Sequence, residues 1–143
     1  MQLWDAPDQF VLTLVDTGED IAQQGSIESS ILLYKQAQKI KPDLKIDAVS
    51  WNELCWNGVL NAHAKDILEA CDRAVDNGSA DDKTSWQDSR GLARALTGDR
   101  QGAIKDFKVF IDDESQDKNY RNKRKQWVDA LKRGDKIDDI FTE

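Results

Sequence analysis

The chain is poor in the residues on which several large classes of protein depend. Its 143 residues include one histidine, His63, and two cysteines, Cys55 and Cys71. A zinc cluster needs closely spaced ligands, and two thiols with a single imidazole between them supply no such set, so no metal site is expected. His63 has no Ser or Asp partner identifiable in the sequence and reads as a capping or surface residue. There is no glycine-rich loop of the kind that cradles phosphate, so no catalytic residue and no cofactor is expected. No apolar run approaches the roughly 20 residues that cross a bilayer, and the N-terminal MQLWDAPDQF lacks a basic region followed by an apolar one. A soluble, untargeted, cytoplasmic protein is the expectation.

Positive charge is also in deficit, with 20 Lys and Arg against 27 Asp and Glu and a net charge of −7. That balance argues against a general nucleic-acid binder or an anionic-membrane binder. In a reducing cytoplasm Cys55 and Cys71 are expected as two small buried thiols, although both fall on inward positions of one helical pair, where a disulfide is geometrically feasible. Asn77-Gly78-Ser79 matches a glycosylation acceptor only in a secreted chain and is read as a turn.

What the chain does have is helical periodicity with regularly placed small residues. In Trp86 to Ile111, Gly98-Asp99 separates two helical patterns, the glycine ending one helix and the aspartate capping the next. Gly91 and Ala103 are then small residues on facing helices, with Phe107 one turn beyond Ala103. The same frame fits twice more. Gly18, Gly25, Ile31, Tyr34, Ala37 and Pro42 occupy it over 11–44; Trp51, Leu54, Cys55, Gly58, Ile67, Cys71, Ala74 and Val75 occupy it over 48–81. Phe10 to Val15 is β-branched enough to pass for a strand, but Val11, Leu14, Gly18 and Ile21 keep helical spacing.

Six helices follow: one to either side of Gly25, Asp47–Asn61 and His63–Asp76, then Thr84–Thr97 and Arg100–Asp112. Ser26–Ile40 is closed by Pro42. The middle joint, Asn61-Ala62-His63, lacks the glycine of the other two. A further helix over 118–133 puts Tyr120, Trp127, Val128 and Leu131 on one stripe and ends at Gly134. The acidic tail, 134–143, either docks through Ile137, Ile140 and Phe141 or hangs free.

This pattern resembles the tetratricopeptide repeat, whose unit of about 34 residues has Trp/Leu-Gly/Tyr on its first helix and Ala-x3-Phe with a trailing Pro on its second. The resemblance implies an all-α, right-handed α-solenoid forming one domain, 1–143. Its three hairpins would cover 11–44, 48–81 and 84–117, followed by a capping helix. Residues in excess of the repeat are expected in connections at Asp43 to Asp47 and Asn77 to Lys83. Trp86 to Phe107 is also similar to the closing repeats of bacterial multidomain signalling proteins. The family implies a scaffold for protein–protein interaction, with first helices lining a concave groove.

Carried onto this sequence, that groove would be lined by Val15, Glu19, Asn52, Glu53, Trp56, Val59, Asp88 and Leu92, with Leu12, Ser85 and Ala95 beside them. Trp56 either points into the groove as a peptide anchor or is buried beneath a neighbouring repeat. The family's clamp for a C-terminal carboxylate is missing, since its positions fall on Val15, Glu19, Glu53, Ser85 and Ser89. Acidic spots favour a protein or peptide partner with a basic or apolar segment. The alternative is a self-associating, homo-oligomeric or spacer segment of a larger protein. Arg90 and Arg94 stand where the family places large apolar residues and are expected to pair with carboxylates such as Asp72, Asp88 or Asp106. The basic run Arg121 to Lys125 is read as the solvated face of the capping helix, with nucleic acid or acidic protein as the other reading.

Overall fold

A computed structural model describes residues 7–141, and no strand occurs among them. Trp4, left without periodic partners in the sequence, lies outside the described residues. The helices are α1 (Asp8–Gln23), α2 (Ile27–Ile40), α3 (Ala48–Leu60), α4 (Leu68–Asn77), α5 (Ala80–Leu96), α6 (Arg100–Asp112), α7 (Lys118–Arg133) and a short α8 (Ile137–Ile140). A 3-10 turn, Ala64–Ile67, precedes α4. Phe10 to Val15 is therefore helical, and its 3.6-residue spacing prevails over β-branching because Val11, Val15, Gly18 and Ala22 share one buried stripe.

Local chemistry sets several boundaries. Gly98 takes φ +93°, ending α5, and the Asp99 carboxylate accepts the Gly102 N–H at 2.9 Å to start α6. Asp47 and Asp117 cap α3 and α7 in the same way. At the glycine-free middle joint the left-handed conformation falls on Ala62, with φ 61°, against the steric preference of any residue that carries a Cβ. Two boundaries differ from expectation: α4 begins at Leu68, after the 3-10 turn, where a helix from His63 was expected, and the other lies at the start of α5. Residues 80–83 form the first turn of α5, so α4 and α5 are joined only by Gly78-Ser79 and the extra residues lengthen a helix instead of a loop. The Ser79 hydroxyl donates to the Asp82 carboxylate at 2.9 Å, and Asp81 and Asp82 lie at the positive end of the helix dipole.

α1 packs on α2, α3 on α4 and α5 on α6; α1 also touches α3, and α3 touches α5. A Cβ added to Gly18 would lie 2.9 Å from Tyr34, and one added to Gly91 would lie 2.9 Å from Phe107. Both rings are fully buried, each contributing about 2–3 kcal/mol by the area it removes from water. Gly58 plays the converse part in the middle pair, leaving room for Ile67 directly opposite. Tyr34 also binds the first pair to the second, donating its hydroxyl to the Ser50 carbonyl at 2.7 Å and packing its ring 5.2 Å from Trp51.

Cys55 and Cys71 are disulfide-bonded, with Cα atoms 4.9 Å apart, which corrects the expectation of free thiols. They face one another on α3 and α4 at the same distance along the chain, sixteen residues, that separates Gly18 from Tyr34 and Gly91 from Phe107. Two short side chains at that crossing bring the sulfurs within bonding reach.

α7 closes the far end, burying Val128, Ala130 and Leu131, while Tyr120, expected on the same stripe, is exposed at the helix start. The tail docks: Ile137, Ile140 and Phe141 pack against the cluster of Ala95, Ala103, Phe107 and Leu131. Arg100 holds the turn between, donating to the Leu131 and Asp135 carbonyls.

Candidate functional site

Sequence spacing places side chains of α1, α3 and α5 at matching helical positions. Glu19, Trp56 and Leu92 occupy one frame position, and Gln23, Leu60 and Leu96 occupy the position one turn later. Trp56 is 40% exposed, Leu60 60% and Leu96 40%. Trp56 and Leu60 stand one helical turn apart on α3, so they form a single apolar ridge. The exposed orientation of Trp56 is therefore realised, and the buried one is not.

Beside this ridge, α3, α5 and α7 enclose a cleft of about 480 Å³ lined by Val59, Leu60, Ala62, Leu92, Leu96, Lys123, Trp127 and Phe141. Apolar side chains predominate, with Lys123 the one charge among them. Phe141 reaches the cleft because its ring lies 5.0 Å from Trp127, edge-on, and 6.4 Å from Phe107.

The other end of the face, on α1 and α3, is acidic. Glu19 is partly buried, and burial pushes its carboxyl up from the ordinary range; a hydrogen bond with Ser50 opposes that shift, while the charges of Asp16, Glu53 and Asp20 reinforce it. Gln23 donates to Glu53 at 3.4 Å, as does the Asn57 side chain. Burial, aided by Glu19, Glu53 and Asp16, raises the Tyr34 hydroxyl far above its usual range. The Asn52 Oδ1 is buried and accepts no hydrogen bond from the described residues.

Three residues expected in the groove sit otherwise. Val15 is buried in the core, because it falls on the same stripe as Val11 and Gly18. Ala95 is likewise buried, as part of the cluster under α7. Asp88 is no free acidic spot: the Arg124 guanidinium binds it through Nε at 3.0 Å and Nη2 at 2.6 Å. Arg124 also stacks on Trp127 and Phe110, at 4.6 and 4.8 Å from the ring centres. Within the basic run, then, Arg124 docks α7 on α5, and Arg121 donates to the Ile111 carbonyl at 2.8 Å, while Lys123 and Lys125 are exposed. Leu12 is half-buried and Ser85 exposed.

Arg90 and Arg94 converge on the buried Asp106, Arg90 through two bonds of 3.0 and 2.9 Å and Arg94 through one of 3.1 Å. Asp72 completes the network from α4, at 3.3 Å from Arg90. Of the three expected partners, Asp106 and Asp72 take these roles and Asp88 does not. His63 lies 3.1 Å from Asp66, and among the described residues no group of three or more His, Cys, Asp or Glu is placed to hold a metal ion. Among the described residues, no helix is long and apolar enough to cross a membrane.

Comparison with known proteins adds no family: no family model, curated protein or solved structure matches this chain.

Proposed function

We propose that this chain is a tetratricopeptide-like, right-handed α-solenoid that serves as a protein-interaction module. On this reading α1, α3 and α5 line its concave face and a partner segment lies across them. The observation that carries it is the exposed ridge of Trp56 and Leu60 beside the apolar cleft, because a rigid helix holding an indole and a leucine one turn apart gives a partner anchor points at little entropic cost. The acidic end at Asp16, Glu19, Asp20 and Glu53 complements a segment that is basic on one side and apolar on the other.

A second copy fits the same face less well. Two chains of net charge −7 repel, and each acidic end would meet its own kind. Titration with a helical peptide bearing leucines on one face and lysines on the other would test the reading. Trp56→Ala and Leu60→Ala should each weaken binding by about 2 kcal/mol, roughly thirtyfold, as truncation of a central anchor does. Unchanged affinity in both variants would sink it. Light scattering over a range of concentrations decides between partner and copy: a mass that rises with concentration assigns the face to self-association.

A further inference from the structure

The middle helix pair departs from its neighbours at a crossing where those two agree. In the flanking pairs the crossing is filled by glycine against a buried ring, Gly18 with Tyr34 and Gly91 with Phe107. In the middle pair the corresponding residues are Cys55 and Cys71, both fully buried and bonded to each other. No aromatic fills that crossing. The second helix is also the shortest of the three, α4 having 10 residues against 14 in α2 and 13 in α6, and it is entered through a 3-10 turn. Less helix and less ring surface are therefore available from α4 to hold α3.

We infer that the Cys55–Cys71 disulfide is the staple that holds α3, and with it the exposed Trp56 and Leu60, against α4, so that the face is fully formed only in the oxidised chain. The inference goes beyond the binding reading and does not depend on it. It assigns the working chain to oxidising conditions, contrary to the cytoplasmic expectation. The chemistry is thiol–disulfide exchange with a small oxidised thiol such as glutathione disulfide. One cysteine thiolate attacks that disulfide, forming a mixed disulfide and releasing one glutathione thiolate; the second cysteine thiolate then attacks the protein sulfur and releases the other. The two cysteines lose two electrons and two protons, and glutathione disulfide gains them as two thiols. Because both sulfurs are enclosed, exchange requires α3 and α4 to separate, which places it during folding or in a local opening.

Two measurements test this on the whole chain. After incubation with glutathione disulfide, alkylation in denaturant without reductant should leave Cys55 and Cys71 unlabelled, and added reductant should expose both; two labels without reductant would overturn the staple. Amide hydrogen exchange should then run about tenfold or more faster in α3 and α4 after reduction, while α5 and α6 hold their protection. Equal rates in the two redox states would overturn it as well. Since the reduced chain could unfold throughout, the double substitution Cys55→Gly with Cys71→Phe supplies the second arm. By restoring the glycine–ring crossing it should protect α3 as the disulfide does, with or without reductant. Exchange in that variant as fast as in the reduced chain would count against the proposal.

Discussion

The Arg90 guanidinium lies along both oxygens of the Asp106 carboxylate, at 3.0 and 2.9 Å, with Asp106 only 1% exposed. Desolvation works against the charged arginine, yet the hydrogen bonds and charges of Asp106 and Asp72 together outweigh it and hold the guanidinium above its ordinary range. The pair joins α5 to α6, and Arg94 and Asp72 extend it to α4, so three helices share one charge network where an apolar contact would serve in a plainer fold.

Breaking that network from its centre should be severe. Asp106→Ala leaves two partly buried guanidinium groups facing each other without the carboxylate that separates them, at a cost of about 3–5 kcal/mol. Urea denaturation of the variant checks the figure. A loss below about 1 kcal/mol would show that Asp72, 3.3 Å from Arg90 and 3.7 Å from Arg94, and water suffice to replace the carboxylate.

Arg124 should matter to α7 in a way its neighbours do not. Arg124→Ala removes a two-point bond to Asp88 and the stacking on Trp127 and Phe110, and is expected to destabilise by about 2 kcal/mol. Arg124→Lys should recover only part of this, since an ammonium neither forks nor stacks. Lys123→Ala, at an exposed position, should stay within about 0.5 kcal/mol of the parent. Thermal or urea melts of the three variants give the ranking.

The turn between α3 and α4 offers a stabilising change. Ala62 is held at φ 61°, where a Cβ costs about 1 kcal/mol and glycine none. Ala62→Gly should therefore raise stability by a few tenths to about 1 kcal/mol, the added freedom of the unfolded chain offsetting part of the gain. A higher urea midpoint with an unchanged slope would be the signature.

Much of the helix layout was legible because punctuation and period agree. Pro42, Gly98-Asp99 and Gly134 mark ends that the structure keeps; Gly91, expected to face Ala103, instead lies nearest the Phe107 ring and Asp106, as Gly18 lies nearest Tyr34. Where the reading failed, the residues carried two signals and the weaker was missed. Ser79 with Asp82 is a helix start, but the run Asn77 to Lys83 is polar enough to pass for a loop. The site was legible in part on α3 and α5, through Trp56, Val59 and Leu92, while Leu60 and Leu96 were missed although they repeat at one frame position. Its remaining walls were not, because Trp127 and Phe141 reach the cleft only through the docking of α7 and the tail, which no spacing encodes. Nor does spacing foretell Arg124, whose place beside Asp88 depends on how two distant helices cross.

Glu19 gives the pH dependence. Its folded-state carboxyl is raised above the ordinary glutamate value of about 4.5, so the folded chain binds this proton more tightly than the unfolded chain does. The contribution of Glu19 to stability is then most favourable below about pH 4.5 and declines as the pH climbs through its raised folded value. Glu19→Gln, which keeps shape and removes charge, should raise the urea midpoint at pH 7, and the gain should vanish near pH 4. Equal midpoints at pH 7 would show that the carboxylate is solvated well enough to bear Asp16, Asp20 and Glu53 around it.

Phe141 joins the tail to the cleft, and its removal separates two consequences. The ring contacts Trp127 edge-on and reaches Phe107, so Phe141→Ala should destabilise by about 1–2 kcal/mol, the range for a half-buried aromatic. The same change opens one wall of the cleft and wets the Trp127 indole, which should shift its emission to the red while Trp51, enclosed against Tyr34, stays as it is. Because α8 has four residues and no buried side chain of its own, the loss should remain local: amides of α8 should lose protection and those of α5 and α6 should keep it. Loss of protection throughout α5 and α6 would mean instead that the tail belongs to the core, with the cleft wall an incidental result of its packing.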